Sequence, residues 1–531
     1  MNSSVSSEHC HKAAIHDSVE MEVSQLKDIQ AEPRKSNEPS PILNDPEKVE
    51  VSELKERFSL TGMIGLYFSL GAAPLAVGSY TTLILGVGGG AFLFWGTVVG
   101  VVFQIFIALS LAEIASAFPH SIGMSHWIAQ LAPPEWKRGL SYWASAVTML
   151  QTQFDGASFW IITVRVVTAT VSVFTSGSTN LENWQIYLII AGFVLAGVLI
   201  NSHDTLLSGY AKYNNSMAYV INGTIIYQVV SLLVRSSPKQ SASSVFLSVD
   251  NQTGWTNDGV VFLFSTIPGI SVVSGFNYVA HMAEDMPEPR RTVPLTLIAV
   301  TLLNSVTSVA MIVVLLFCTV NKEALYEPIG GMPLAQILWD GHRSLPLTGI
   351  NMLLMSVIFV TGGLGFISCS SRLVWQVTKH GGLAFARVFG HVNPKTQIPQ
   401  NAVFFVGTTT ILISLLQVGT QTALNALMGF SFLCVAFSYG VSILLLVVRG
   451  RHLLPQNRYL NLGRLGLPVN LVALAWIILS SVFLCFPTTL PVQADTMNYA
   501  APVFFGFLLF FVPNWYFYSK KHYVTPSKMA F

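Results

Sequence analysis

Apolar residues run along this chain in blocks far longer than any amphipathic period, divided by short polar stretches. No Asp, Glu, Lys or Arg occurs within Phe58–Ala112, Tyr213–Val234, Gly259–Ala283, Thr292–Asn321, Ser344–Ser371, Thr396–Val448 or Leu465–Ala494. About 20 apolar residues cross the ~30 Å hydrocarbon core of a bilayer, so several of these runs hold two crossings each. The pattern predicts an all-α polytopic membrane protein. Its twelve spans fall at about 59–84, 90–114, 141–171, 185–202, 215–234, 259–281, 294–318, 346–369, 399–418, 424–447, 467–487 and 499–517.

Composition agrees and adds a division. Of the 531 residues, 52% are hydrophobic and 10% charged, against roughly 25% charged in ordinary soluble chains, which excludes a soluble globular enzyme. Residues 1–57 hold 12 acids and 7 bases. This acidic, proline-bearing segment reads as a disordered cytosolic tail; residues 58–517 form the membrane domain and 518–531 a short cytosolic tail. With an inside N-terminus, 23 of the 28 Lys and Arg fall in cytosolic tails and loops, so the positive-inside rule places both termini in the cytosol. Asn251-Gln252-Thr253 then lies in an outside loop as the expected glycosylation site. A net charge of +2 without a dense basic cluster gives no reason to expect nucleic acid. The five cysteines show no metal-ligand or disulfide spacing, and no cofactor is expected.

Within the apolar runs, the informative residues are those that interrupt a helix. A transporter holds a polar ligand at membrane depth on backbone freed by broken helices. The first span contains Gly71-Ala72-Ala73-Pro74; Pro74 removes a donor and disfavours helix at the residue before it. In the sixth span, Pro268-Gly269 precede Ser274, Gly275, Phe276 and Asn277. Breaks five spans apart are what an inverted five-plus-five repeat brings to one central site.

Three stretches then resemble a known family. Phe276-Asn277-Tyr278-Val279-Ala280-His281-Met282-Ala283-Glu284-Asp285, with Pro287, Pro289, Arg290 and Arg291 behind it, resembles the sixth-span motif of fungal amino acid permeases, Gly-Tyr/Phe-Asp-x-x-Ala-His-x-x-Glu-Glu. Ser370-Ser371-Arg372 through Ile398-Pro399-Gln400-Asn401-Ala402, and Ser110-Leu111-Ala112-Glu113 with Ala117-Phe118-Pro119, resemble their cytosolic segment after the eighth span and the end of their second. The chain is identified as a member of the amino acid, polyamine and organocation transporter superfamily, in the branch of fungal 4-aminobutyrate and choline permeases. The resemblance implies twelve helices, broken first and sixth helices, and uptake driven by an ion gradient, protons in preference to sodium. Where the family commonly has Asn-Ser-Trp, this chain has Ala72-Ala73-Pro74, so the substrate is left open.

Ionisable groups inside spans are costly and therefore candidates for function. Asp155 stands mid-way along the third span with Gln151 one turn earlier, placed to pair with an ammonium group or to carry the coupled proton. His281 is a candidate proton relay. Gly71, Ala72, Ala73, Pro74, Ser274, Gly275, Phe276 and Asn277 complete the expected substrate site, and Glu113 and Glu284-Asp285, with the bases Arg290, Arg291 and Arg372 nearby, an inner gate. The eighth-span hydroxyls Ser356, Thr361 and Ser368 keep a sodium site open as the second choice of coupling ion. The function expected is import of a small nitrogen compound such as an amino acid, 4-aminobutyrate or choline. The setting is membrane lipid, of the plasma membrane first and the vacuole second. The competing class is a non-transporting nutrient sensor on the same fold.

Overall fold

The computed structural model describes residues 54, 56–84, 86–177, 181–418, 421–494 and 496–526. Nearly all of the expected tail over residues 1–57, and residues 527–531 of the second tail, lie outside the described residues. Among the described residues, twelve helices are long and apolar enough to span a membrane. They are α1 (Leu60–Thr81), α2 (Gly89–Ala117), α3 (Pro134–Phe174), α4 (Asn183–Ser202), α5 (Asp204–Arg235), α6 (Asp258–His281), α7 (Pro289–Cys318), α8 (Leu345–Lys379), α9 (Gln400–Val418), α10 (Gly429–Arg449), α11 (Gly463–Phe483) and α12 (Ala500–His522). The chain is an integral, multi-pass membrane protein. The face on which α1 begins is called the near face below, and its opposite the far face.

Hydropathy marks the part of a helix at membrane depth, and three helices run well past it. α3 begins at Pro134, α5 at Asp204 and α8 ends at Lys379, because nothing in the adjoining sequence stops them. α8 proceeds until Gly381, whose φ of 74° ends it. This extension carries Arg372 on a helix rather than in a loop.

α1 and α6 are both broken, and they enter the membrane from opposite faces, as an inverted repeat requires. α1 is helical over Leu60–Gly71, turns at Ala72 (φ 40°, ψ 31°) and resumes at Ala73. The left-handed residue is thus Ala72 and not Gly71, a conformation costing an L-residue roughly 1–2 kcal/mol. Pro74 has no N–H for the carbonyl of Leu70, and the wholly buried Ala72 takes the turn instead. In α6 the helix stops at Val272 and restarts at Phe276 through Gly275 (φ 92°), a value that suits glycine.

Around these two, α8 packs most extensively on α3, α2 on α7, and α1 on α5. α1 is the most enclosed of the twelve helices and α12 the least. The breaks therefore lie near the middle of the bundle.

Candidate functional site

The two breaks touch. Tyr67 on α1 donates to the carbonyl of Ser274 in the α6 break (3.4 Å), and Gly71 lies against Asn304 of α7 and the carbonyl of Val272. The Ser274 hydroxyl turns back to the carbonyl of Ser271 (2.9 Å). Ala73 and Pro74 are buried beside them.

α3 supplies the charge. Asp155 is partly exposed, and its Oδ2 accepts from Gln151 Nε2 (2.6 Å) and from the Tyr278 hydroxyl (2.9 Å). Gln151 in turn accepts from Asn277 Nδ2 (3.1 Å), and Asn277 Oδ1 accepts from the Tyr439 hydroxyl of α10 (2.7 Å). Asn277 Nδ2 also faces His281 Nε2 (3.5 Å), while His281 Nδ1 meets the carbonyl of Ser121 (2.9 Å). A carbonyl only accepts, so His281 carries its hydrogen on Nδ1 and leaves Nε2 as an acceptor. The order of donors from Asn277 through Gln151 to Asp155 is fixed by the same reasoning. Asp155, Asn277 and His281, chosen separately from the sequence, thus share one hydrogen-bonded line. Aromatic rings enclose it: Phe276 lies 5.7 Å from Tyr439, and Tyr278 stands edge-on to Phe366 of α8 at 4.8 Å.

The residues expected at the near-face gate sort into separate groups. Arg372, wholly buried, pairs with Asp285 (3.1 Å) rather than Glu284. The 3-10 turn Ala283–Asp285 places neighbouring residues about a third of a turn apart, so the two acids diverge. Glu284 accepts instead from Ser121 and Gln376. Arg57 completes the closure: its guanidinium reaches Asp204 at the start of α5 (3.0 Å), Asp285 (3.9 Å) and the carbonyl of Thr396 (2.7 Å). Backbone N–H groups of Arg57 and Phe58 both donate to the carbonyl of Asp285. The starts of α1 and α5, the end of α6 and the inner end of α8 are thereby held together.

Glu113 is not part of this closure. It is buried on the face of α2 that meets α11, where Ser110 donates to Asn470 and Phe103 stacks on Trp476 at 4.4 Å. Its Oε1 accepts from Arg451 (2.7 Å), Arg458 (3.0 Å) and the N–H of Leu462 (3.0 Å), pinning the α10–α11 loop to α2. Arg451 and Arg458 thus make specific ion pairs with a buried acid.

The hydroxyls considered for sodium are engaged in helix packing. Ser356 meets Thr170 (2.9 Å), Thr361 donates to its own helix, and Ser368 donates to Asn201. Asn251 precedes α6 on the far face; its amide donates to the Trp255 carbonyl and Asp258, and its oxygen accepts from Thr253.

The sequence reading passed over Tyr278, Tyr439 and Arg57. Arg57 carried a signal, being the last base before the first uncharged run. Tyr278 stood inside the sixth-span motif but, like Tyr439, carried no sign of its partner, which is set by how α3, α6 and α10 pack.

The model of the family described as amino acid permease matches residues 57–509. The chain belongs to the amino acid permease family. This permease is 27% identical over 480 residues to the choline transporter of Saccharomyces cerevisiae, covering 88% of this chain and 83% of that protein. It is 27% identical over 466 residues to amino-acid permease 2 of Neurospora crassa, covering 85% and 83%. With the swainsonine transporter of Arthroderma benhamiae it shares 24% identity over 485 residues, covering 91% and 95%. The permease is accordingly a membrane transporter of small organic compounds.

Proposed function

We propose that this permease imports a small compound bearing a positively charged nitrogen, with Asp155 as its counter-charge. The observation that carries the reading is a carboxylate at the level of two touching helix breaks, partly exposed and enclosed by aromatic rings. A carboxylate beside ring faces favours an ammonium over a neutral solute. The names of two relatives, a choline transporter and an amino-acid permease, denote solutes that share a cationic nitrogen.

The gradient used is that of protons, with both termini in the cytosol and the plasma membrane as the site of uptake. Protonation of His281 at Nε2 turns its acceptor into a donor. Asn277 Nδ2 must then turn away, which withdraws it from Gln151 and loosens the line that fixes Asp155. Substrate and proton thus act on one chain of side chains, and the pairs around Asp285 open and reform as access alternates.

The test is uptake of labelled choline, 4-aminobutyrate, polyamines and amino acids by cells lacking their own permeases, at two external pH values. Accumulation that rises at acid pH and is abolished in Asp155→Asn, with surface expression intact, is expected. Absence of accumulation of every compound by well-expressed wild type removes transport in favour of sensing. Uptake unchanged in Asp155→Asn removes Asp155.

A further inference from the structure

We infer that Tyr278 is a built-in occupant of the ammonium subsite, a specificity-determining residue whose hydroxyl competes with a substrate N–H for Asp155 Oδ2. This rests on the reading of Asp155 given above.

A carboxylate oxygen offers two lone pairs, and Asp155 Oδ2 spends both, on Gln151 and on Tyr278. The two donors differ in what they can do. Gln151 lies one turn before Asp155 on the same helix and stays beside it whatever the rest of the bundle does. Tyr278 belongs to the half of α6 beyond the break, and the hinge that positions it is its own neighbour. Gly275 has a φ of 92°, which suits glycine, and a Cβ there would stand 3.1 Å from the Tyr278 ring and crowd it, so glycine at 275 lets the ring fold back over the hinge. Phe366 of α8 holds the ring edge-on from the other side. The tyrosine therefore ties the second half of α6 to α3 by a bond that one hinge motion releases.

This arrangement sets a threshold for the solute. A neutral donor offers the Asp155 carboxylate what Tyr278 already gives it, whereas an ammonium adds a full opposite charge to the same hydrogen bond. Only a cation profits from displacing the hydroxyl, and that displacement removes one of the two side-chain bonds, the other being Asn277 to Gln151, that tie this half-helix to α3. Tyr278 thus makes the charge on the substrate loosen the hold of α3 on α6.

Tyr278→Phe keeps the ring and its packing and removes only the competing hydroxyl. The expected result is a KM for cationic substrates lowered on the order of tenfold, without a rise in maximal rate, and a reduced preference for cations over neutral isosteres of the same shape. Purified protein provides a second measurement: tetramethylammonium should raise the melting temperature of Tyr278→Phe at lower concentration than that of wild type. A raised KM means that the hydroxyl contacts substrate, and an unchanged KM with unchanged preference means that the ring only packs; either overturns the inference. Failure of the underlying reading is separately visible. Wild-type uptake indifferent to Asp155→Asn removes the ammonium subsite together with its occupant, whereas uptake that needs Asp155 but ignores Tyr278→Phe removes the occupant alone.

Discussion

Three histidines meet on the near face outside the spans. His120 lies 4.7 Å from His126 and 6.0 Å from His380, ring centre to ring centre, and all three are buried. Burial, with the neighbouring His126, His380 and Lys379 adding to it, holds His120 well below the ordinary imidazole range. Burial and then Lys379 push His380 down to about 3. The sign of the consequence follows directly. Above about pH 6.5 His120 and His380 are neutral folded or unfolded and cost nothing. Below it the unfolded chain takes up protons that the folded chain refuses, so stability falls as pH falls towards 3. For His380 alone the loss by pH 5 is on the order of 2 kcal/mol. Melting of the purified protein should therefore drop between pH 7 and pH 5, and His380→Asn should flatten that slope. An identical slope in the variant would remove His380 as its source.

At the scale of elements, the breaks do more than expose backbone. With α6 interrupted, the carbonyl of Ile270 loses the partner a continuous helix would give it, and Gln104 of α2 donates to it (3.0 Å). That approach depends on small residues, as in other close membrane helix pairs. A Cβ on Gly269 would stand 2.4 Å from the Thr97 carbonyl, and one on Gly100 2.7 Å from that of Thr266. Gly269→Ala should thus cost at least about 2 kcal/mol and lower the melting temperature and surface expression. Gly223→Ala, in α5 with nothing within 4 Å of the added carbon, should leave both unchanged or raise them slightly. Equal behaviour of the two would mean that α2 and α6 do not need their close contact.

The same elements show how far the sequence can be read. Spans and breaks were legible because apolar length, Pro74 and Gly275 act locally. Asp155 with Gln151 was legible because four residues make one helical turn. Ala72 was not, since its left-handed φ is imposed by a buried environment. Nor were the partners of Glu113, which lie 338 and 345 residues away and are chosen by how α2 faces α11.

At the scale of the whole molecule, the near face is closed by a small set of buried charges. The side chains of Arg57, Asp285 and Arg372 are no more than 1% exposed. Arg57→Ala leaves Asp285 with Arg372 but removes the buried cation that also holds Asp204 and the Thr396 carbonyl, a loss below the roughly 3–5 kcal/mol of stranding a buried charge wholly unpaired. Here that loss falls on one conformation only, because a bundle that opens at this face exposes the same groups to water. Arg57→Ala should therefore shift the population towards the open state instead of unfolding the protein; even 2 kcal/mol of differential stability is about thirtyfold in population. Cys369 is the natural reporter, fully buried and three residues before Arg372 on the inward-facing part of α8. Wild type should protect Cys369 from N-ethylmaleimide, and Arg57→Ala should speed its alkylation at least tenfold, measured by mass spectrometry of the peptide that contains it. Added substrate should change the rate in wild type more than in the variant, whose gate no longer needs opening. Protection of Cys369 that survives Arg57→Ala would assign Arg57 to anchoring α1, and leave Arg372 with Asp285 as the pair that closes this face.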